Sequence, residues 1–336
     1  MTEEKQHKHI FGANEVAELT KQEIEHRRDQ NKIAGIETGL ATLALDLLPW
    51  RPGDLVGILG LSGNGKSLLM RSIMAHNAAK FQKEGAHRYG IYGSYEQSVE
   101  QQGMQDFAEL SGVSPKKMHM GEIDESDWKL MMGAHVKRSQ VPVAIIGHST
   151  RHQAKIRRGR PMPTSEEFEN AAIRFVEEQE KKPALIAIDY LTKIPLSQEW
   201  RRAIAQGHVE NINWAKDLAI KLECPVMLGA QAQANVQDRK WPVPMMYDAH
   251  WGKTEFANAC DAMLSVWMPK NDIALGEELP THRTGGKIIE VTERLIVITI
   301  CKQKWGSFPV TVFCEVSEDY ATVKQLHMDS VDVSNL

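Results

Sequence analysis

The sequence predicts an α/β protein with a mostly parallel central sheet flanked by helices. Three observations predict it. From Ile36 onward, short apolar runs of strand length alternate with helix-forming stretches, the pattern of strands joined by crossover helices. One run, Asp54-Leu55-Val56-Gly57-Ile58-Leu59, leads straight into Gly60-Leu61-Ser62-Gly63-Asn64-Gly65-Lys66-Ser67, and the helix-forming stretch Leu68–Met74 follows. A third run, Ala184-Leu185-Ile186-Ala187-Ile188-Asp189, is apolar until its final acid, as a strand buried on both faces is.

The elements follow in order. Residues 1–36 form a polar N-terminal arm; Asn14 to Gln30 reads as a helix with a thin apolar stripe of Val16, Leu19 and Ile24. It lies either against a neighbouring subunit or in solvent. Residues 37–318 hold the α/β core. Arg88–Ser94 is its second strand, Val99–Leu110 a helix and Val141–Ile146 a strand. A helix opens after Pro163 with Thr164 or Ser165 as N-cap and runs to about Lys181. The strand ending at Asp189, a helix from about Gln206 to Leu222 and the strand Pro225–Ala230 come next. Ala262–Trp267 is a strand, and Leu295–Cys301 pairs with Pro309–Val316 as a hairpin around Trp305-Gly306-Ser307. Residues 319–336 form an acidic, peripheral tail.

Composition narrows the function classes. The chain has 336 residues, enough to bury a sizeable core, and a net charge of −4. It is not a bulk polycation, so nucleic acid would have to meet a local basic surface. No apolar run reaches membrane-spanning length, and the polar N-terminus is no signal peptide. Its four cysteines, Cys224, Cys260, Cys301 and Cys314, are scattered without a C-x-x-C pair. That suits a reduced, cytoplasmic protein without a zinc site.

The stretch from Gly60 to Ser67 reads G-x-x-x-x-G-K-S between a strand and a helix, the pattern of a phosphate-binding loop. Its glycines let backbone N–H groups turn inward, and the helix N-terminus adds positive potential. The expected ATP ligands are Gly60, Ser62, Gly63, Asn64, Gly65, Lys66, Ser67 and Leu68, with Lys66 reaching the β- and γ-phosphates. Ser67 and Asp189 are the expected Mg²⁺ residues. Glu96, just past the second strand, is the candidate base for water, because no acid follows Asp189 directly. Gln231, at a strand end, is the candidate γ-phosphate sensor; Gln233, two residues on, is the alternative if the strand continues.

These residues resemble the ATPase domain of DnaB-type replicative DNA helicases, of the RecA-like P-loop fold, from about Ile33 to Val316. Ile36-Glu37-Thr38-Gly39-Leu40 with Pro52-Gly53-Asp54-Leu55 is similar to that family's "PTG…L…PGDL" pattern. Ser94-Tyr95-Glu96-Gln97 is similar to "SLEM", whose Glu is catalytic. Ile188–Leu191 is similar to "IDYL", Pro225–Gln231 to "PVVALSQ", and Gly252–Asp261 to the segment ending "DAD". The resemblance implies a homo-oligomeric ring, usually a hexamer, with ATP between subunits and single-stranded DNA in the pore. A loader or primase would be a further partner. It also implies a Lys-x-Arg pair acting on the neighbour's nucleotide; here the matching residues are Lys302 and Lys304, lysine standing where the family has its arginine finger. The chain is expected to lack the separate N-terminal domain of many such helicases, which suits a compact helicase of phage, prophage or plasmid type, or a relative that has left replication.

In this fold the loops after the Asp189 and Gln231 strands line the pore. The expected DNA contacts are Arg201 and Arg202 in the first and Arg239, Lys240 and Lys253 in the second, holding phosphates without reading sequence. Trp241 and Trp251 stack on bases or pack within the loop. The basic run Arg151–Arg160 meets DNA, a partner or only solvent. The reading is an ATP-driven DNA translocase or helicase. Two alternatives stay open: a RecA- or RadA-like recombination ATPase, and a nucleotide-switched regulatory ring that does not unwind DNA.

Overall fold

The computed structural model describes residues 11–29, 35–83, 88–153, 162–279, 289–318 and 322–326. The chain divides into two units, Met1–Gly35 and Ile36–Leu336. The first holds helix α1 (Ala13–Asp29), on which Val16, Leu19 and Ile24 are all exposed. Ile36 falls in the larger unit rather than in the arm; it is buried and pairs with Trp50 through two backbone hydrogen bonds of 2.9 Å.

In the larger unit, helix α2 (Ala41–Asp46) precedes strand β1 (Leu55–Gly60) and helix α3 (Lys66–Lys83). Strand β2 (Tyr89–Ser94), helices α4 (Val99–Ser111), α5 (Pro115–Met120) and α6 (Glu125–Ser139), and strand β3 (Val143–Gly147) follow. Next come α7 (Thr150–Gln153), α8 (Ser165–Gln179), β4 (Pro183–Asp189), α9 (Ile204–Lys221), β5 (Val226–Gln231), α10 (Lys253–Ala259) and β6 (Ala262–Trp267). A small pair, β7 (Glu278–Leu279) and β8 (Ile289–Glu290), precedes β9 (Leu295–Gln303), β10 (Val310–Val316) and β11 (Val323–Gln325).

The nine-stranded sheet has the order β11-β10-β9-β6-β1-β5-β4-β2-β3. From β6 to β3 every pairing is parallel; β9, β10 and β11 add antiparallel strands beyond β6. Alternate residues of the central strands supply two cores. Leu55, Leu59, Ile186, Ile188 and Leu228 face α8, α9 and α10. Val56, Ile58, Leu185, Ala187 and Met227 face α2 and α3. Such double burial is why these strands read as continuous apolar runs.

Two glycines in β2 set how closely helices approach it. A Cβ at Gly90 would sit 2.2 Å from Met74 Sδ on α3, and one at Gly93 would sit 2.6 Å from Phe168 Cε2 on α8. Thr164 is the N-cap of α8, not Ser165: its side chain accepts from Glu167 N, and the Glu167 carboxylate accepts from Thr164 N.

One expectation needs correction, and one stretch that the sequence left without an element is helical. Helices α5 and α6 fill a stretch without a clear apolar period. On α6 the apolar residues Trp128, Leu130 and Val136 are exposed, and Asp127 and Ala134 are its buried residues. The core does not end at 318, because β11 pairs with β10 and buried Val323 donates its N–H to Ser72 Oγ at 2.8 Å. Acidic neighbours hide that short strand in the composition. The basic run is described only to Gln153; its remainder lies outside the described residues. Among the described residues no helix is long and apolar enough to cross a membrane.

Phe168 is fully buried under β2, stacked with Tyr95 (6.3 Å between centroids) and edge-on to Trp214 (5.7 Å). Phe168→Ala is expected to cost about 3–5 kcal/mol of unfolding free energy, read as a lower denaturant midpoint with an unchanged slope.

Candidate active site

The sheet brings four strand ends together. Gly60, the last residue of β1, lies opposite Gln231, the last of β5; Ser94, the last of β2, lies opposite Asp189, the last of β4. All are carboxyl ends of parallel strands, where α/β sheets bind ligands.

The loop after Gly60 turns into α3 through Gly63 (φ 74°) and Gly65 (φ 86°), conformations that suit glycine. α3 begins at Lys66, so its unpaired N–H groups face the loop. The Lys66 ammonium is buried and donates to Gly60 O at 3.0 Å and Leu61 O at 2.9 Å. Burial lowers its pKa, against the opposing charges of Asp189 and Glu96. That influence puts Glu96, which is itself exposed, in the field of the loop lysine. Tyr95 N donates to Asp189 O at 2.9 Å, tying the Glu96 turn to the end of β4. Ser98 caps α4 reciprocally with Gln101, which holds the turn from the other side.

Asp189 is 3% exposed. Tyr92 donates its hydroxyl to Oδ2 at 2.8 Å, whereas Oδ1 is buried without a hydrogen-bond partner among the described residues. Burial raises the Asp189 pKa, with Ser67, Tyr92, Lys66 and Arg71 opposing. A buried carboxylate oxygen left open beside a serine hydroxyl and a lysine is a donor set that fits a hard divalent cation next to phosphate. Gln231 is held by its backbone: its carbonyl accepts from His250 N at 2.8 Å, and Ala232 N donates to Gly60 O at 2.9 Å. Gln233 does not continue the strand. Its backbone donates to Asp248 O and its amide to Ala249 O at 3.1 Å.

Several expected ligands have other partners. The Asn64 side chain turns away from the loop mouth: its Oδ1 accepts from Met268 N at 2.8 Å and from Asn271 Nδ2 at 3.1 Å. Its Oδ1 is thus engaged while Nδ2 lies 3.5 Å from Ser62 O within the loop, and Asn271, which no sequence motif marks, braces the loop. The Leu68 side chain is half-buried against the core that α3 covers. Lys302 donates to Ala257 O at 2.5 Å and Cys260 O at 2.7 Å, capping α10, so it is tied up within its own chain. Lys304 is ion-paired with Asp261. Both lie at the amino end of β1, the end away from the phosphate loop, because Asp261 Oδ2 accepts from Leu55 N at 2.8 Å. Neither serves the site of its own chain.

Of the expected DNA contacts, Arg201, Arg202, Lys240 and Lys253 are exposed, on connections leaving the carboxyl ends of β4 and β5. Arg239 is not a free cation: it forms a two-pronged pair with Asp248 at 2.6 and 2.7 Å, closing the loop after β5 on itself. Lys240 lies 5.6 Å over the Trp241 ring. Trp251 packs between His208 and His250 rather than standing free. A separate cavity of about 220 Å³ lies behind α3, lined by Arg71, Tyr92, Asp106 and Arg138 among others. It is not the phosphate site.

A phosphate loop, an acid-ended strand one place beyond β5 and a central parallel sheet define a P-loop nucleotide-binding protein of RecA-like architecture. The family model "DnaB-like helicase C terminal domain" matches residues 35–255, well over half the chain, and the chain belongs to that family. Two solved structures share the fold at 14% identity. One, a DnaB-like replicative helicase described with its interactions with primase, has a TM-score of 0.71 over 94% of this chain and 67% of its own. The other, an ATPase domain, has a TM-score of 0.72 over 94% of this chain and 99% of its own. No curated protein sequence matches the chain.

A carboxyl whose folded pKa is raised destabilises the fold as pH rises through that value, so ionised Asp189 is a cost at neutral pH. Asp189→Asn is expected to raise the Tm of the nucleotide-free protein near neutral pH by about 1–3 °C. The gain should shrink as pH falls toward the ordinary carboxylate range, as scanning calorimetry can follow.

Proposed function

We propose that this chain is an ATP-hydrolysing ring subunit that moves on single-stranded DNA and unwinds duplex during replication. The carrying observation is the convergence of Lys66, Ser67, Asp189, Glu96 and Gln231 at four neighbouring strand ends. Loop N–H groups and Lys66 bind the triphosphate and hold its developing charge. Ser67 and Asp189 would hold Mg²⁺, which supplies charge neutralisation at the phosphates when bound. Glu96 orients a water in line with the γ-phosphate and takes its proton. Gln231 carries the phosphate state into the loop it opens, which Ala232, Gln233 and His250 close at its base. Arg201, Arg202, Lys240 and Lys253 are exposed cations on the connections after β4 and β5 that suit DNA phosphates.

Hydrolysis in trans requires Lys304 of one copy to leave Asp261 and reach the next copy's nucleotide. Its pairing within its own chain favours, as a second reading, a nucleotide-switched ring that does not unwind DNA. The replication setting, of phage, prophage or plasmid type, and a hexameric ring belong to the first reading.

Steady-state ATP hydrolysis with and without single-stranded DNA separates the two. DNA should stimulate turnover, and Glu96→Gln should lower it by at least about a hundredfold while ATP affinity and assembly are kept. Near-normal turnover in that variant would remove Glu96 as base, and hydrolysis indifferent to DNA would favour the switched ring. Lys304→Ala should abolish turnover at unchanged ATP affinity; a silent substitution would end its assignment in trans.

A further inference from the structure

Strand β2 carries a phenol that meets the acid at the end of β4. Tyr92 is buried in the sheet, and its hydroxyl donates to Asp189 Oδ2 at 2.8 Å. The sheet register makes this contact. Ser94 lies opposite Asp189 and Tyr92 lies opposite Ala187. Residues two apart on a strand share a face, so Tyr92 and Asp189 stand on the same side of the sheet, the side that α3 covers. A side chain as long as tyrosine's reaches along that face to the strand end.

The two neighbouring tyrosines show that the hydroxyl matters. Tyr89 and Tyr95 are also buried, yet their hydroxyls have no hydrogen-bond partner among the described residues. Their rings fill the core on the opposite side of the sheet. Tyr92 fills space too, among Leu185, Ala187 and Met227, but it also places a donor. Its surroundings are fixed. Its ring lines the cavity behind α3 beside Arg71, and Arg71 is ion-paired at 3.2 Å with Asp106, which Arg138 also holds at 2.6 Å.

The two carboxylate oxygens of Asp189 therefore differ. Oδ2 is taken by Tyr92, whereas Oδ1 is buried with no hydrogen-bond partner among the described residues. The terminal torsion of an aspartate is broad and roughly two-fold, so the side chain by itself does not choose which oxygen is left open. A donor on one oxygen makes the choice. Carboxylates that hold cations are themselves held by hydrogen bonds of this kind.

We propose that Tyr92 is a positioning residue: by holding Oδ2 it reserves Oδ1 of Asp189 for the cation bound with the nucleotide. The proposal rests on the ATP reading above and names the group that orients its acid.

The test is the affinity for a fluorescent, non-hydrolysable ATP analogue, titrated in EDTA and again in saturating Mg²⁺. The proteins are the wild type, Tyr92→Phe, Asp189→Asn and the double variant. Tyr92→Phe keeps the ring, and with it the packing, and removes only the hydroxyl. Its affinity in EDTA should match the wild type, because the phosphate loop and Lys66 are untouched. The tightening that Mg²⁺ brings should shrink by roughly tenfold or more. In the Asp189→Asn background the same substitution should remove nothing further. A full Mg²⁺ effect in Tyr92→Phe overturns the proposal. So does an equal loss of affinity with and without Mg²⁺, the mark of a residue that only supports the loop. A further loss in the Asp189→Asn background also overturns it, because the hydroxyl would then act elsewhere. A wild type whose affinity Mg²⁺ leaves unchanged, or an Asp189→Asn variant that keeps the full effect, overturns the metal role of Asp189 and this proposal together.

Discussion

The parallel register of β1 against β5 and β6 sets the geometry of the site. Leu55 opposite Val226 at one end places Gly60 opposite Gln231 at the other. Both faces of β1 are buried, so a one-residue slip would drive Leu55 and Leu59 into the core packed around Val56 and Ile58, and the reverse, and misfit both. The strand is also pinned at each end. Buried Asp261 accepts Leu55 N and Lys216 at the amino end. Asn64 ties the loop to Met268 and Asn271 at the other. Between these two anchors the phosphate loop has little freedom to move, which is what a charge-binding site made of backbone N–H groups requires.

The two anchors use different physics. At Asp261, burial works to raise the carboxyl pKa, but hydrogen bonds from Lys216, Lys304 and Leu55 N outweigh it and hold the group below its ordinary value. Its contribution is present above the ordinary carboxylate range and is lost as pH falls through the lowered value. Asp189 is the reverse: its partners do not offset its burial, and its pKa rises. One acid stabilises the fold and the other is kept at a cost. A costly acid is expected at a functional site, not in a structural one.

Lys302 and Lys304 show how one segment serves two ends of the molecule. Lys302 closes α10, Lys304 neutralises Asp261, and the turn after them holds Trp305 outward. These contacts stabilise the amino end of β1, while everything proposed for ATP sits at its carboxyl end.

The sequence by itself determined the parallel core, the loop from Gly60 to Ser67, the strand ending at Asp189 and the positions of Glu96 and Gln231. Those features are local: a continuous apolar run reports burial on both faces, and glycine spacing reports a backbone turn. Tertiary structure alone decided the partners of charged side chains. Lys302 and Lys304 look like free cations along the chain, but each meets its carbonyl or acid across a fold that brings distant segments together, and Arg239 meets Asp248 where its own loop closes on itself. It also decided the role of Asn64, whose brace, Asn271, lies beyond β6. Helix α6 and strand β11 escaped the pattern for the same reason. One shows water most of its apolar residues, the other has a single buried valine, and neither leaves a period that a sequence can carry.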